Sequence, residues 1–571
     1  MRGIKSIFFS TFSLYAGVSG YVWPSPYNFL EDAYTVSSGF ADGGIVAGVN
    51  PYSISPFAGL SPGRQAASEW LRGCEFFSPR AYHDMATYSI DTGLGSIGFE
   101  TDRAQNVGPA MNSSLQFFHS FQSKNSSMAD VIALSVILAI KNCGGPSIPF
   151  RAGRIDAENG GPETVPEPQQ DIATHTQLFA QQGFNVSEMI TLVACGHTIG
   201  GIHQADFPGS VENATTPTNP SGVVHFDDTF DSFDNHIATQ WIDGTSVDLL
   251  AVGFNETTNL DARIFQADGN QTCGALLERM LNTVPKAVQL TDVIEPLAVK
   301  PYQLVLTLAS NGSLVLTGYI RIFGTSAEAA SATAADMPVT QVMHQQTLIQ
   351  ALWVLLPKKS GFADDGSLLA RVAPRTTVSP SLSWLDRNGE ASAASSVSAS
   401  AVSEASNNLW GNIRFFQVNA IINGQTGISS FVVDWAFKTQ DSLTHSDNGG
   451  SGFPLRMCCA DAGGVLNKNT TTYAVVFQVD GMSGYSATHT AAYVDYNSNV
   501  NQVGSAALKR ITTRIPLVHT GNSSSLLYNT YSATFASPAT TNQARVTFDV
   551  VAVIAGETYA SLNNPEILAA C

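Results

Sequence analysis

The chain is 571 residues long and carries 28 Lys+Arg against 46 Asp+Glu, a formal balance of −18. Charged residues make up 13%, about half the usual globular share of roughly 25%, while the hydrophobic share of 44% is ordinary. These figures exclude a disordered polyampholyte and a basic nucleic-acid binder, and the length allows two to four domains.

In chain order, Arg2 and Lys5 precede an apolar run over 7–18 and then Val18-Ser19-Gly20. That is the charged, apolar, small-residue order of a secretory signal cleaved after Gly20. The run is too short, and too broken by serine and threonine, to anchor in a membrane. N-x-S/T sequons at Asn112, Asn125, Asn185, Asn213, Asn255, Asn270, Asn311, Asn469 and Asn522 fit a secreted, glycosylated protein. Cys74, Cys143, Cys195, Cys273, Cys458, Cys459 and Cys571 allow up to three disulfides with one thiol over, and their pairing stays open. Helical patterns run over 129–142, which Cys143-Gly144-Gly145-Pro146 stops, and over 169–182. Another helix opens with Ser187 as its expected cap. The apolar stretch 131–140 reads as a buried helix.

Beyond about residue 290 the period changes to alternation. Segments 302–307 and 313–322 flank Asn311-Gly312, a hairpin signal, and 413–422, 429–437, 473–479 and 544–555 follow. The Ala/Ser tracts 325–335 and 391–405 read as flexible or O-glycosylated connectors. The expected fold is multidomain: a signal over 1–20, a mainly α domain over 21–289, and an all-β, β-sandwich-like region over 290–571.

Two histidines carry the chemistry. One lies in Ala81-Tyr82-His83-Asp84-Met85, the other in Cys195-Gly196-His197-Thr198 at the end of an apolar helix. Singly, each fits a satisfied core histidine better than a ligand. They stand in a wider series of motifs: Gln105-Asn106, Met128-Ala129-Asp130-Val131, Gly144-Gly145-Pro146 through Phe150 into Gly153-Arg154-Ile155-Asp156, and Phe233-Asp234-Asn235. In that order the motifs resemble the plant and fungal haem peroxidase superfamily, its secreted fungal (class II-like) branch in particular, over residues 60–285.

The resemblance implies haem b, with His197 as the axial ligand of the iron and Asp234 as the acceptor of its other ring nitrogen. It implies His83 as the distal base and Asn106 as the residue that orients it, with Tyr82 set against the haem face. It also implies two calcium ions. Thr198, Asp227 and Thr229 would serve the proximal one, and Asp84 and Ser96 the distal one. The implied reaction reduces hydrogen peroxide through an oxoferryl intermediate and oxidises small phenolic or aromatic electron donors, in lignin-related oxidation or an oxidative-stress response.

Two features depart from the family pattern. The family carries an arginine four residues before the distal histidine, whereas here position 79 is proline and Arg80 stands three before His83. At about 100° per residue that shift rotates the guanidinium around the helix. Arg72 is the alternative, displaced by an insertion over 73–79, with Ser78 and Pro79 opening a fresh helix. The distal calcium loop around Thr92-Gly93-Leu94-Gly95 is also short, which impairs that site. Leu192 stands where lignin peroxidases carry a surface tryptophan. The expected protein is a secreted peroxidase without a membrane span. The alternative is a haem-fold pseudoenzyme or a cell-wall, carbohydrate-binding adhesin acting through the C-terminal region.

Overall fold

A computed structural model describes residues 25–36, 45, 78–87, 95–106, 110–217, 219, 222–229, 232–266, 273–297, 299–308, 313–324, 341–342, 381–385, 391–393, 396–404, 412–423, 430–434, 445–446, 472–480, 489–522, 528–536, 547–554 and 557–565. The signal-like segment 1–20, Arg72, the Asn311-Gly312 turn and the tract 325–335 lie outside them. Among the described residues no helix is long and apolar enough to cross a membrane.

The helical part is built around one helix. We number the helices α1 (Asn28–Thr35), α2 (Ser78–Ala86), α3 (Ala110–His119), α4 (Met128–Asn142), α5 (Ile172–Gln181), α6 (Val186–His197), α7 (His236–Asp243), α8 (Leu249–Val252), α9 (Leu260–Phe265) and α10 (Cys273–Leu281). Helix α4 is apolar on all sides because it is surrounded, and Val131 to Ile140 are all buried. The Ser127 side chain accepts from Asp130 N and caps it. Its own Asp130 then accepts from the backbone N–H of Gly153 and Arg154 and pairs with the buried Arg154 guanidinium at 2.9 Å. Asp156 accepts from Ala129 N at 3.0 Å and from Gln122. Two of the sequence motifs thus act as staples between α4 and the segment after it.

Helix α6 begins at Val186, not after Ser187. Asn185 is the cap, since its side chain accepts from Glu188 N while the Glu188 carboxylate accepts from Asn185 N. This reciprocal pair satisfies two end donors, whereas Ser187 would satisfy one. Helix α2 begins at Ser78 and holds Pro79 in its first turn, where a missing N–H is tolerated.

The strands after α10 are antiparallel. Strands β3 (Val299–Leu308), β4 (Leu314–Gly324), β5 (Ser396–Glu404) and β6 (Asn412–Ile422) form one sheet in the order β3-β4-β6-β5; β1 (Gly201–His203) and β2 (Val223–His225) form a small ribbon near α6. Pro301 sits in β3, an edge strand, the place in a sheet where proline is tolerated. The tract 391–405 is not a free connector. Ala391–Ala393 and β5 are strands, with β5 pairing along β6 from Ser396↔Asn419 to Glu404↔Ile413. Small alternating side chains weaken a strand signal in sequence, but the backbone still pairs once β6 offers its edge. A second sheet contains β7 (His489–Asn501), β8 (Leu508–Pro516), β9 (Thr547–Ile554) and β10 (Glu557–Pro565) in the order β8-β7-β9-β10.

Helix α1 joins the two parts. Tyr34 packs on Phe150 and Phe29 on Phe121, on the helical side. On the other side, Glu31 and Asp32 meet Lys300 of β3 and Arg321 of β4, and all four are buried. Arg321 also donates to Thr35 Oγ1 at 2.6 Å. Burial alone would raise the Glu31 carboxyl, but Arg321 and Lys300 outweigh it and hold Glu31 at about 2. Removing one cation leaves a buried charge unpaired. Arg321→Met is therefore expected to lower the free energy of unfolding by about 3–5 kcal/mol in denaturant titration, and a loss below about 1 kcal/mol would contradict this reading.

Candidate active site

Helix α2 carries His83 into contact with Asn106. His83 Nδ1 lies 2.6 Å from Asn106 Oδ1. The amide of Asn106 is oriented from behind, because its Nδ2 donates to Glu100 O at 2.9 Å. With Nδ2 so used, Oδ1 must face the histidine and accept, which places the ring proton on Nδ1. Nε2 is then the nitrogen for proton transfer. The Tyr82 ring stacks on Phe179 of α5 at 5.5 Å between centroids. Arg80 lies in the first turn of α2, and its side chain is outside the description.

Asp84 lies beside His83, and its two oxygens accept from Gly95 N at 2.8 Å and Ile97 N at 3.1 Å. Burial pushes its carboxyl up to about 7, with Glu100 and Asp156 adding to the rise against the two amide bonds. Ser96 Oγ, the other expected ligand, is engaged with Thr87 Oγ1 at 3.2 Å.

On the other side, α6 ends at His197 and is tied to α10 by the Cys195–Cys273 disulfide. Cys143 is disulfide-bonded as well. Helices α2 and α6 pack against each other, so the two histidine-bearing helices are neighbours. His197 Nδ1 lies 2.6 Å from Asp261 Oδ2, and Asp261 is fully buried on α9. Its partner is therefore Asp261, not Asp234. Local demands use Asp234 instead: its carboxylate accepts from His236 N at the start of α7, and its carbonyl accepts from Thr198 Oγ1.

Two further residues support His197. Phe226 stacks on its ring, with centroids 4.4 Å apart and planes at 25°, and so fixes the imidazole plane. Asp248 is fully buried, and one oxygen each of Asp248 and Asp261 lies within 4.8 Å of a His197 ring nitrogen and of each other. Burial, then the charge of Asp261, pushes Asp248 well above the usual carboxylate range.

Thr198, Asp227 and Thr229 do converge. Thr198 Oγ1 is 3.1 Å from both Asp227 Oδ2 and Asp234 O, and Thr229 N donates to Asp227 Oδ1 at 3.0 Å. The cluster is rich in oxygen, as a hard cation requires.

The peroxidase family model matches residues 79–281. That segment resembles a peroxidase domain. Its motif-bearing helices α2 to α10 lie within or at the edge of that match, and the strand-rich part follows it. The chain is 33% identical over 139 residues to the peroxisomal L-ascorbate peroxidase 5 of Arabidopsis thaliana, covering 23% of this chain and 49% of that protein. It is 30% identical over 135 residues to the mitochondrial cytochrome c peroxidase of Yarrowia lipolytica, covering 22% and 39%. A WSC domain-containing protein of Arthroderma benhamiae is 37% identical over 354 residues, covering 58% of this chain and 47% of its own length. That alignment is longer than the peroxidase segment and so includes sequence outside it. The chain spans about half or less of the length of each of these relatives.

The peroxidase family implies haem, and the donor chemistry fits it. Asp261 takes Nδ1 of His197, which leaves Nε2 as the nitrogen for iron, and a carboxylate partner makes the imidazole a stronger donor. Asp261, Asp248 and Phe226 have no spacing signal in the sequence. The nearest clue is the apolar frame Leu260 and Ile264 around Asp261, which marks a buried helix with one acid on its inner side.

The helical part should show the titration of Asp84 in its stability. Its folded value of about 7 exceeds the unfolded value of about 4, so the folded state holds the extra proton between them. The contribution of Asp84 therefore makes stability fall as pH rises from about 4 to about 7. Asp84→Asn should flatten that fall in urea titrations across this range, and an unchanged slope would contradict the assignment.

Proposed function

We propose that the chain is a secreted haem peroxidase that reduces hydrogen peroxide and oxidises small phenolic or aromatic donors. The observation that carries this reading is the pair of histidines on neighbouring helices, each held through Nδ1 at 2.6 Å, one by an amide oxygen and one by a buried carboxylate. The first arrangement suits a base and the second suits a metal ligand.

Haem, when bound, supplies the two-electron reduction of peroxide. His197 would hold it through Nε2, with Asp261 accepting the hydrogen bond from Nδ1. His83 Nε2 takes a proton from one peroxide oxygen and returns it to the other, which leaves as water. Asn106 keeps Nδ1 protonated so that Nε2 stays basic. Two donor molecules would supply one electron each, with two protons, to complete the second water. Arg80, or Arg72 in its place, would stabilise charge developing on the leaving oxygen. Thr198, Asp227 and Thr229 would hold one calcium ion beside the proximal helix.

The domain limits of this reading are a signal over 1–20, a peroxidase domain over 21–289 and a β-sandwich-like module over 290–571. A second reading, a haem-fold protein that contacts cell-wall carbohydrate through the C-terminal region, is favoured by the match to the WSC domain-containing protein beyond the peroxidase segment.

Reconstitution of the full chain with haem, followed by addition of hydrogen peroxide, separates the two. A prompt shift of the Soret band supports the peroxidase, and bound haem without a shift supports the second reading. His197→Ala should lose haem ligation, and His83→Leu should slow the shift by about 10²–10⁴-fold. A normal ferric spectrum in His197→Ala would contradict the ligand assignment.

A further inference from the structure

We propose that the β7–β8 hairpin of the C-terminal region positions the distal histidine by bracing the loop beside His83. The proposal deepens the peroxidase reading, since it gives His83 its support. The contact centres on one carbonyl. Gly98 O accepts from Ala506 N at 2.9 Å, Ala507 N at 3.1 Å and Ser505 Oγ at 2.9 Å. Three donors from the hairpin turn thus converge on one oxygen of the 3₁₀ turn Ser96–Phe99.

The approach needs a glycine. A Cβ on Gly98 would lie 2.9 Å from both Cα and Cβ of Ala507, closer than carbon atoms tolerate. Gly95, Gly98, Asp156, Ala506 and Ala507 line the seam, which closes to a gap no larger than one water. Around this point the hairpin is tied further. His119 Nε2 pairs with Ala506 O at 3.1 Å, and Asn499 Nδ2 donates to Gln122 O. Arg510 donates to Ser123 O and Lys124 O, while Lys124 pairs with Asp549 of β9 at 2.6 Å.

From that turn two routes reach His83. Through the first, Gly95 N and Ile97 N bind the Asp84 carboxylate next to His83, and Ser96 Oγ meets Thr87 Oγ1 at the end of α2. Through the second, Glu100 O holds the Asn106 amide that binds His83 Nδ1. Both routes start from the turn that the three hairpin donors grip, so that turn needs a brace from outside it. The hairpin supplies it, and Ser505, Ala506 and Ala507 are positioning residues for His83.

Hydrogen exchange on the full chain tests this. Gly98→Val, which forces the hairpin off, should speed exchange of the Gly95 and Ile97 amides by about tenfold or more while the α4 amides stay protected. Ser505→Ala should do so to a lesser degree, and Ser505→Thr, which keeps the hydroxyl, should restore the parent rate. In the haem-loaded chain, cyanide affinity, which needs a distal base for the proton of hydrogen cyanide, should fall in the same order. Faster exchange at Ala506 and Ala507 with Gly95, Ile97 and cyanide affinity unchanged would overturn the proposal. If Gly98→Val does not fold, Arg510→Ala loosens the same seam from its far edge and is judged by the same two measurements. Failure of the parent chain to take up haem would count against the peroxidase reading, while the exchange comparison would still decide whether the hairpin braces the loop.

Discussion

A buried carboxylate must find a donor, and Asp261 finds His197. Because Asp261 is fully shielded from water, its charge is costly unless it is hydrogen-bonded, and the imidazole Nδ1 at 2.6 Å meets that need. Much of the proximal half follows from this bond. Helix α9 must pack on α6 to bring the two groups together, the Cys195–Cys273 disulfide ties α6 to α10 beside them, and Phe226 sets the plane of the ring. Asp248, whose carboxyl burial and then the charge of Asp261 push well above the usual range, lies beside that bond.

Among the described residues, the strand-rich region meets the helical part at two places. At one, α1 buries Glu31 and Asp32 against Lys300 and Arg321. At the other, the β7–β8 hairpin presses on Gly98. A buried ion network costs desolvation that its pairing must offset, so it specifies one docking arrangement more than it adds stability. The hairpin contact is made by backbone groups and a glycine, and it gains its fixity from close approach.

The legible parts of the sequence are those with a local signature. Helix α4 shows itself by unbroken apolar character and a Gly-Gly-Pro stop, and β3 and β4 by alternation around Asn-Gly. His83 and Asn106 are likewise readable from their motifs, and the structure brings them together. The partner of His197 is not readable, because 64 residues separate it from Asp261 and no pattern marks a carboxylate that closes such a gap. Phe233-Asp234-Asn235 resembles the expected motif, yet Asp234 is used by the turn that starts α7. The β5 strand escapes notice for another reason: its serines and alanines carry little apolar signal, and its pairing with β6 is decided by the partner edge. Tertiary partnership outweighs local preference in each of these cases.

The most direct test compares the ferric/ferrous reduction potential of the haem-loaded chain with those of Asp261→Asn and Asp234→Asn. Loss of the carboxylate on the histidine weakens its donation to iron. Asp261→Asn is therefore expected to raise the potential, while Asp234→Asn leaves it at the parent value. A raised potential in Asp234→Asn with Asp261→Asn unchanged would contradict the pairing of His197 with Asp261.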